Sequence, residues 1–131
     1  MKDPNRAPFY VCMYHGLCVV ARNKGYALAM HGSVITDMDL VAIPWTDEAI
    51  PAEELMLALK DHIGAVDYRA LLERDCEWAS QEELDAMVRN SKDKAPEFKP
   101  HGRLAWNLYL YHGCKIDLSV MPRIVAEPNI P

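Results

Sequence analysis

Apolar and polar positions alternate along this chain in two different rhythms. From Phe9 to Lys24 the residues Val11, Tyr14, Leu17, Cys18 and Ala21 recur at helical spacing, and Gly25 is placed to stop the helix. "YALAMHGS" (26–33) then reads as a short apolar strand ending at glycine, and "DMDLVAIPW" (37–45) as a second strand closed by Pro44. "TDEAIPAEELMLALKDHIG" returns to the helical period. Pro51 suits a first turn, acids follow it, Leu55, Leu59 and Ile63 share a face, and Gly64 ends the segment. Residues 65–98 carry a weaker pattern, in which Ser80 followed by Glu83 is a capping-box signature for a further helix. Leu84, Met87 and Val88 would pack that helix on the sheet or on a second subunit. Lys92 to Pro100 reads as a polar, proline-containing loop. "GRLAWNLYLYHG" and "CKIDLSVMPR" are strands on either side of a His112-Gly113 turn, and the tail 124–131 reads as extended.

The order is α-β-β-α-(α)-β-β, an α/β (α+β) class with a mixed sheet and helices packed on one face. At 131 residues the chain suits a single domain, with 65–98 as an insertion. Half of it is apolar and a quarter charged, enough for a sizeable core. The net charge of −5 argues against broad electrostatic binding of nucleic acid. No apolar run approaches the roughly 20 residues of a membrane helix, and the N-terminus has no signal-like apolar stretch. Cys12, Cys18, Cys76 and Cys114 form no CxxC pair, so free thiols in a cytoplasmic protein are the expectation. No histidine pair has zinc spacing, and Ser33 lacks the G-x-S-x-G context of a hydrolase nucleophile.

The candidate chemistry lies in the strands. Side chains alternate across a strand, so Asp37 and Asp39 share a face, and Asp117 shares one with Lys115 and Ser119. Acids brought together repel unless a cation lies between them, and converging carboxylate oxygens suit Mg²⁺. The same D-x-D spacing also describes a solvated strand edge. Trp106 shares a face with Leu104, Leu108 and Leu110 and reads as core. Tyr109 and Tyr111, opposite them with Asn107, are better placed to line a site.

Gly32 and Ser33 before Asp37 and Asp39, with Asp117 in "KIDLSV", resemble the pattern of the nucleotidyltransferase superfamily, the fold of DNA polymerase β and the minimal nucleotidyltransferases. The stretches 10–64 and 99–123 are also similar to small bacteriophage proteins. The resemblance implies that Gly32 and Ser33 hold the phosphates of a nucleoside triphosphate. It implies Asp37, Asp39 and Asp117 as ligands of Mg²⁺ or Mn²⁺, with Asp117 orienting or deprotonating an acceptor hydroxyl. The activity implied is nucleotidyl transfer in a host cytoplasm, with nucleic acid entering only as an acceptor. The other reading is an inactive binding protein that inhibits a host defence or replication factor. One departure stands out. Only Val34, Ile35 and Thr36 separate the Gly-Ser pair from the first acid, where the family has a longer segment carrying a basic residue. Lys99, His101 and Arg103 are the expected substitutes, carried to the acids by the hairpin.

Overall fold

The computed structural model describes residues 5–123, so the expectation for the tail 124–131 lies outside the described residues. The chain is a mixed α+β fold. Helix α1 (Ala7–Asn23) buries Tyr10, Leu17 and Ala21 on one stripe. Strands β1 (Tyr26–His31) and β2 (Asp37–Pro44) follow, then α2 (Ala52–Ile63), which buries Leu55, Met56 and Leu59. Pro51 sits at the N-cap of α2, Glu53 and Glu54 lie in its first turn, and Gly64 caps its end in the left-handed conformation (φ +63°). The strands β4 (Leu104–Tyr109) and β5 (Lys115–Val120) form the second hairpin. His112 and Gly113, at φ +63° and +75°, give its turn the mirror-image geometry that fits twisted strands.

The sheet order is β1-β2-β5-β4-β3, where β3 is the two-residue Glu97–Phe98 inside the segment expected to be a loop. The pairs β1–β2, β4–β5 and β3–β4 are antiparallel, and β2–β5 is parallel. One face is core. Met38, Leu40 and Ala42 of β2, Ile116, Leu118 and Val120 of β5, and Trp106 and Leu108 of β4 form a single cluster with the buried residues of α1 and α2. Fully burying one such side chain contributes about 1.5–3 kcal/mol, so this face dominates the stability.

Residues 65–98 form two helices rather than one. α3 (Tyr68–Asp75) is capped by the Asp67 carboxylate, which accepts from the Ala70 amide. α4 (Gln81–Asn90) carries the full Ser80–Glu83 capping box and packs chiefly on α3, with Leu84 buried. The excursion covers the outer edge of β4. Val66 N–H donates to the Tyr109 carbonyl at 2.9 Å, and Asn107 N–H donates to the Lys92 carbonyl at 2.7 Å. Its anchor is Asp93, 2 % exposed, which takes the Lys60 ammonium of α2 at 3.1 Å and the Tyr68 amide of α3 at 3.3 Å.

Candidate functional site

The face of the sheet turned away from α1 and α2 is polar, and the strand register sets its geometry. His31 lies opposite Asp39, Asp39 opposite Asp117, and Asp117 opposite Asn107, a polar row across β1, β2, β5 and β4. Neighbouring strands run about 4.8 Å apart, so Asp39 and Asp117 are lateral neighbours. Two residues along lies a second row of Asp37, Lys115 and Tyr109. There the Lys115 ammonium stands 3.4 Å from the Asp37 carboxylate. No ion pair engages Asp39 or Asp117 among the described residues. Like charges directly opposite each other in a sheet are destabilising, and nothing of opposite sign is paired to these two.

The Gly-Ser turn meets this row. Gly32 has φ +79°, and a Cβ built there would lie 2.8 Å from Oδ2 of Asp39. Glycine is therefore required twice, by the backbone and by the approach of the carboxylate. Ser33 is exposed beside it. Val34 is left-handed as well (φ +53°), an unusual state for a β-branched residue, and its side chain packs on the core cluster. The α1 N-terminus holds the turn. Arg6 N–H donates to the Ile35 carbonyl at 2.8 Å. The Tyr10 hydroxyl donates to the Thr36 carbonyl at 2.7 Å and accepts from the Lys115 amide at 2.9 Å. One buried hydroxyl thus ties the starts of β2 and β5, the strands carrying all three acids.

The acids do not converge as one set of three. Among the described residues no three His, Cys, Asp or Glu side chains are arranged to hold one ion, and Asp37 is paired with Lys115. Asn107 adds an oxygen outside that residue set. It is 7 % exposed, its Nδ2 donates to the Tyr109 hydroxyl at 3.3 Å, and its Oδ1 is buried without a partner. A buried acceptor left unpaired costs about 1–3 kcal/mol, and this one lies next to Asp117 in register.

The basic residues expected at the acids lie elsewhere. Lys99, His101 and Arg103 precede β4, whose first residue pairs with Val120 at the far end of β5. Val120 is three residues beyond Asp117, about 10 Å along the strand. Lys99 is paired with Glu97 at 3.0 Å, and His101 is exposed. Hairpin direction places them there, because the start of β4 must face the end of β5. Of the lysines, Lys115 pairs with Asp37, and Lys92 feels the charge of Asp117. Lys92 returns from the excursion to meet Glu97 at 2.7 Å. Its ammonium is held above its usual pKa first by Glu97 and, more weakly, by the charge of Asp117. Glu97 in turn is pulled down to about 2 by Lys92 and Lys99.

Beyond the Asp37–Lys115–Tyr109 row opens a cleft of about 320 Å³ between α3 and the β4–β5 turn, lined by Tyr68, Leu71, Tyr109, Leu110, Lys115 and Asp37 among others. Tyr109 lines it, as its strand face suggested. Tyr111 does not. It sits in the turn with the Arg74 guanidinium 4.5 Å above its ring. Burial raises the pKa of both Tyr68 and Tyr109. No described helix is long and apolar enough to cross a membrane.

No family model, curated protein or solved structure matches the chain.

Proposed function

We propose that this chain is a minimal nucleotidyltransferase-like protein that binds a nucleoside triphosphate with Mg²⁺ or Mn²⁺ and transfers a nucleotidyl group to an acceptor hydroxyl. The observation that carries the reading is the lateral Asp39–Asp117 pair with Gly32 pressed against Asp39. The residues fit a hard divalent cation. Two carboxylates without ion-pair partners among the described residues and an orphaned amide oxygen on Asn107 are oxygen donors suited to such an ion. Asp39 and Asp117 would hold the ion, and Asp37 would join them when Lys115 turns to phosphate. The ion would neutralise charge on the phosphates and polarise the reacting phosphoryl group. Exposed Ser33 and the neighbouring amides offer donors to phosphate oxygens, and Lys115 and Lys92 supply the positive charge expected of Lys99, His101 and Arg103. Asp117 would orient the acceptor hydroxyl and accept its proton as the hydroxyl oxygen bonds to the α-phosphorus and the α–β phosphoanhydride bond breaks, releasing pyrophosphate.

A second reading rests on the three-residue Val34–Thr36 link, whose Ile35 carbonyl is tied to Arg6 and which leaves little room for a triphosphate. On that reading a phage-encoded protein keeps the fold and uses its surface to inhibit a host defence or replication factor. Two measurements separate them. Millimolar Mg²⁺ or Mn²⁺ at about 100 times its Kd should stabilise the wild type by about 2.7 kcal/mol, and Asp39→Asn should remove most of that gain. Labelled triphosphates with Mg²⁺ and host lysate should show transfer that Asp37→Asn, Asp39→Asn abolishes. No response to either ion and no transfer, with the same host protein retained by both forms in a pull-down, would replace the catalytic reading by the binding one.

A further inference from the structure

We propose that the cleft between α3 and the β4–β5 turn seats the planar ring of the nucleotide, with Tyr68 of the excursion as its stacking wall. The inference rests on the triphosphate reading above and brings in Tyr68 and Leu71 of the excursion, which lie outside the family resemblance.

The wall is built and held. The Tyr68 and Tyr109 rings lie 4.0 Å apart at 26°, a stacked pair, with Tyr109 fixed on β4. Tyr68 is the first residue of α3, and its amide is held by Asp93, which is buried against Lys60 of α2. Val66, two residues earlier, is pinned to the Tyr109 carbonyl. An aromatic surface fixed at both ends binds a ring without first having to be ordered. Leu71 and Leu110 supply apolar lining, and Asp37 and Lys115 stand where the cleft meets the polar face.

Position and size agree with a ring. The row that contains Asp37, Lys115 and Tyr109 is two residues from the Asp39–Asp117 row, roughly 6.6 Å along the strands. A sugar spans that gap, so phosphates held at Asp39 and Asp117 leave the base at the cleft. At about 320 Å³ the cleft lies at the small end of ligand pockets and has room for one ring system. Lys115 serves both parts, since it borders the cleft and is paired with Asp37.

The test compares two ligands by calorimetry in Mg²⁺: each nucleoside triphosphate, and inorganic tripolyphosphate, which has no ring. Tyr68→Ala should weaken the preferred nucleoside triphosphate by about 5- to 150-fold, the worth of one base–aromatic stack, and leave tripolyphosphate unchanged. Leu71→Trp, which fills the cleft and keeps Tyr68, should give the same split. If both ligands weaken equally, or neither does, the cleft is not the ring site. If the wild type binds tripolyphosphate as tightly as any nucleoside triphosphate, the ring proposal falls and the phosphate site stands. If it binds neither, the nucleotidyltransferase reading falls and takes this one with it.

Discussion

Removing one oxygen atom from the core tests how the site is assembled. The Tyr10 hydroxyl is fully buried and links the Thr36 carbonyl, at 2.7 Å, to the Lys115 amide, at 2.9 Å. Tyr10→Phe keeps the ring and creates almost no cavity, so the cost is electrostatic. It leaves a carbonyl and an amide without their partner. Each buried group left unpaired costs about 1–3 kcal/mol, and partial access to water from the adjoining turn brings the expected total to about 2–3 kcal/mol. At roughly 3 °C per kcal/mol for a domain of this size, Tm should fall by about 6–9 °C. Tyr14→Phe is the control, because its hydroxyl makes a single 3.0 Å bond to the Leu28 carbonyl and ties no second strand. Its cost should be about 1 kcal/mol. Urea titration of the three proteins gives the comparison, with an unchanged m-value as the sign that compactness is preserved. Alkaline pH supplies a second arm. Burial raises the Tyr10 pKa above its usual value of 10.0. The folded state therefore holds that proton more tightly than the unfolded chain, and the associated stability is intact below about pH 10 and lost as pH rises beyond it. Tyr14, Tyr26, Tyr68 and Tyr109 are raised too, so the informative quantity is the difference between wild type and Tyr10→Phe, which should narrow above pH 10. If Tyr10→Phe costs no more than Tyr14→Phe at neutral pH, the hydroxyl is not what joins β2 to β5.

Two further substitutions probe the turn and the excursion. Gly32→Ala should destabilise by about 1–2 kcal/mol in thermal unfolding, since φ is +79° and the new methyl meets Asp39 at 2.8 Å, and it should weaken Mn²⁺ binding by displacing that carboxylate. Asp93→Ala strands the Lys60 ammonium, whose side chain is 18 % exposed, and should cost about 2–3 kcal/mol, while Lys60→Met with Asp93→Leu should recover most of it. Proteolysis confined to 65–98 in Asp93→Ala, but not in the double variant, would show that the anchor holds the excursion.

The elements readable along the chain were those whose signals are local. Periodicity and glycine stops give α1 and α2, the Ser80–Glu83 box gives α4, and His112-Gly113 gives the second hairpin. Helix α3 escaped because it is only eight residues long and Leu72 is its one buried residue. Its signal was Asp67 as an N-cap and Arg69 spaced four from Glu73. The shared face of Asp37 and Asp39 follows from alternation, but the meeting of Asp39 with Asp117 depends on the parallel β2–β5 pair, which no local pattern encodes. The position of Lys99, His101 and Arg103 was within reach of the sequence, because a hairpin turned at 112–113 puts residues before β4 opposite the end of β5. Lys115 was equally readable, two residues before Asp117 on the same face. Lys92 was not, because it comes within the field of Asp117 only through the path of the excursion.

The parallel pair also has a kinetic meaning. The two hairpins, β1–β2 and β4–β5, close over short stretches of chain and can form on their own in microseconds. The β2–β5 seam joins residues more than seventy positions apart, so it closes late, after the hairpins exist. Asp39 and Asp117 sit on opposite sides of that seam. Until the seam closes the two carboxylates belong to separate hairpins, and their mutual repulsion is met only at that step. The excursion adds to the connection that must be closed, and about half of that connection is residues 65–98. Because closure entropy grows only with the logarithm of length, doubling it costs only about 0.6 kcal/mol. A segment could therefore be lengthened here, and could evolve new contacts at the edge of the site, with little effect on whether the two halves find each other.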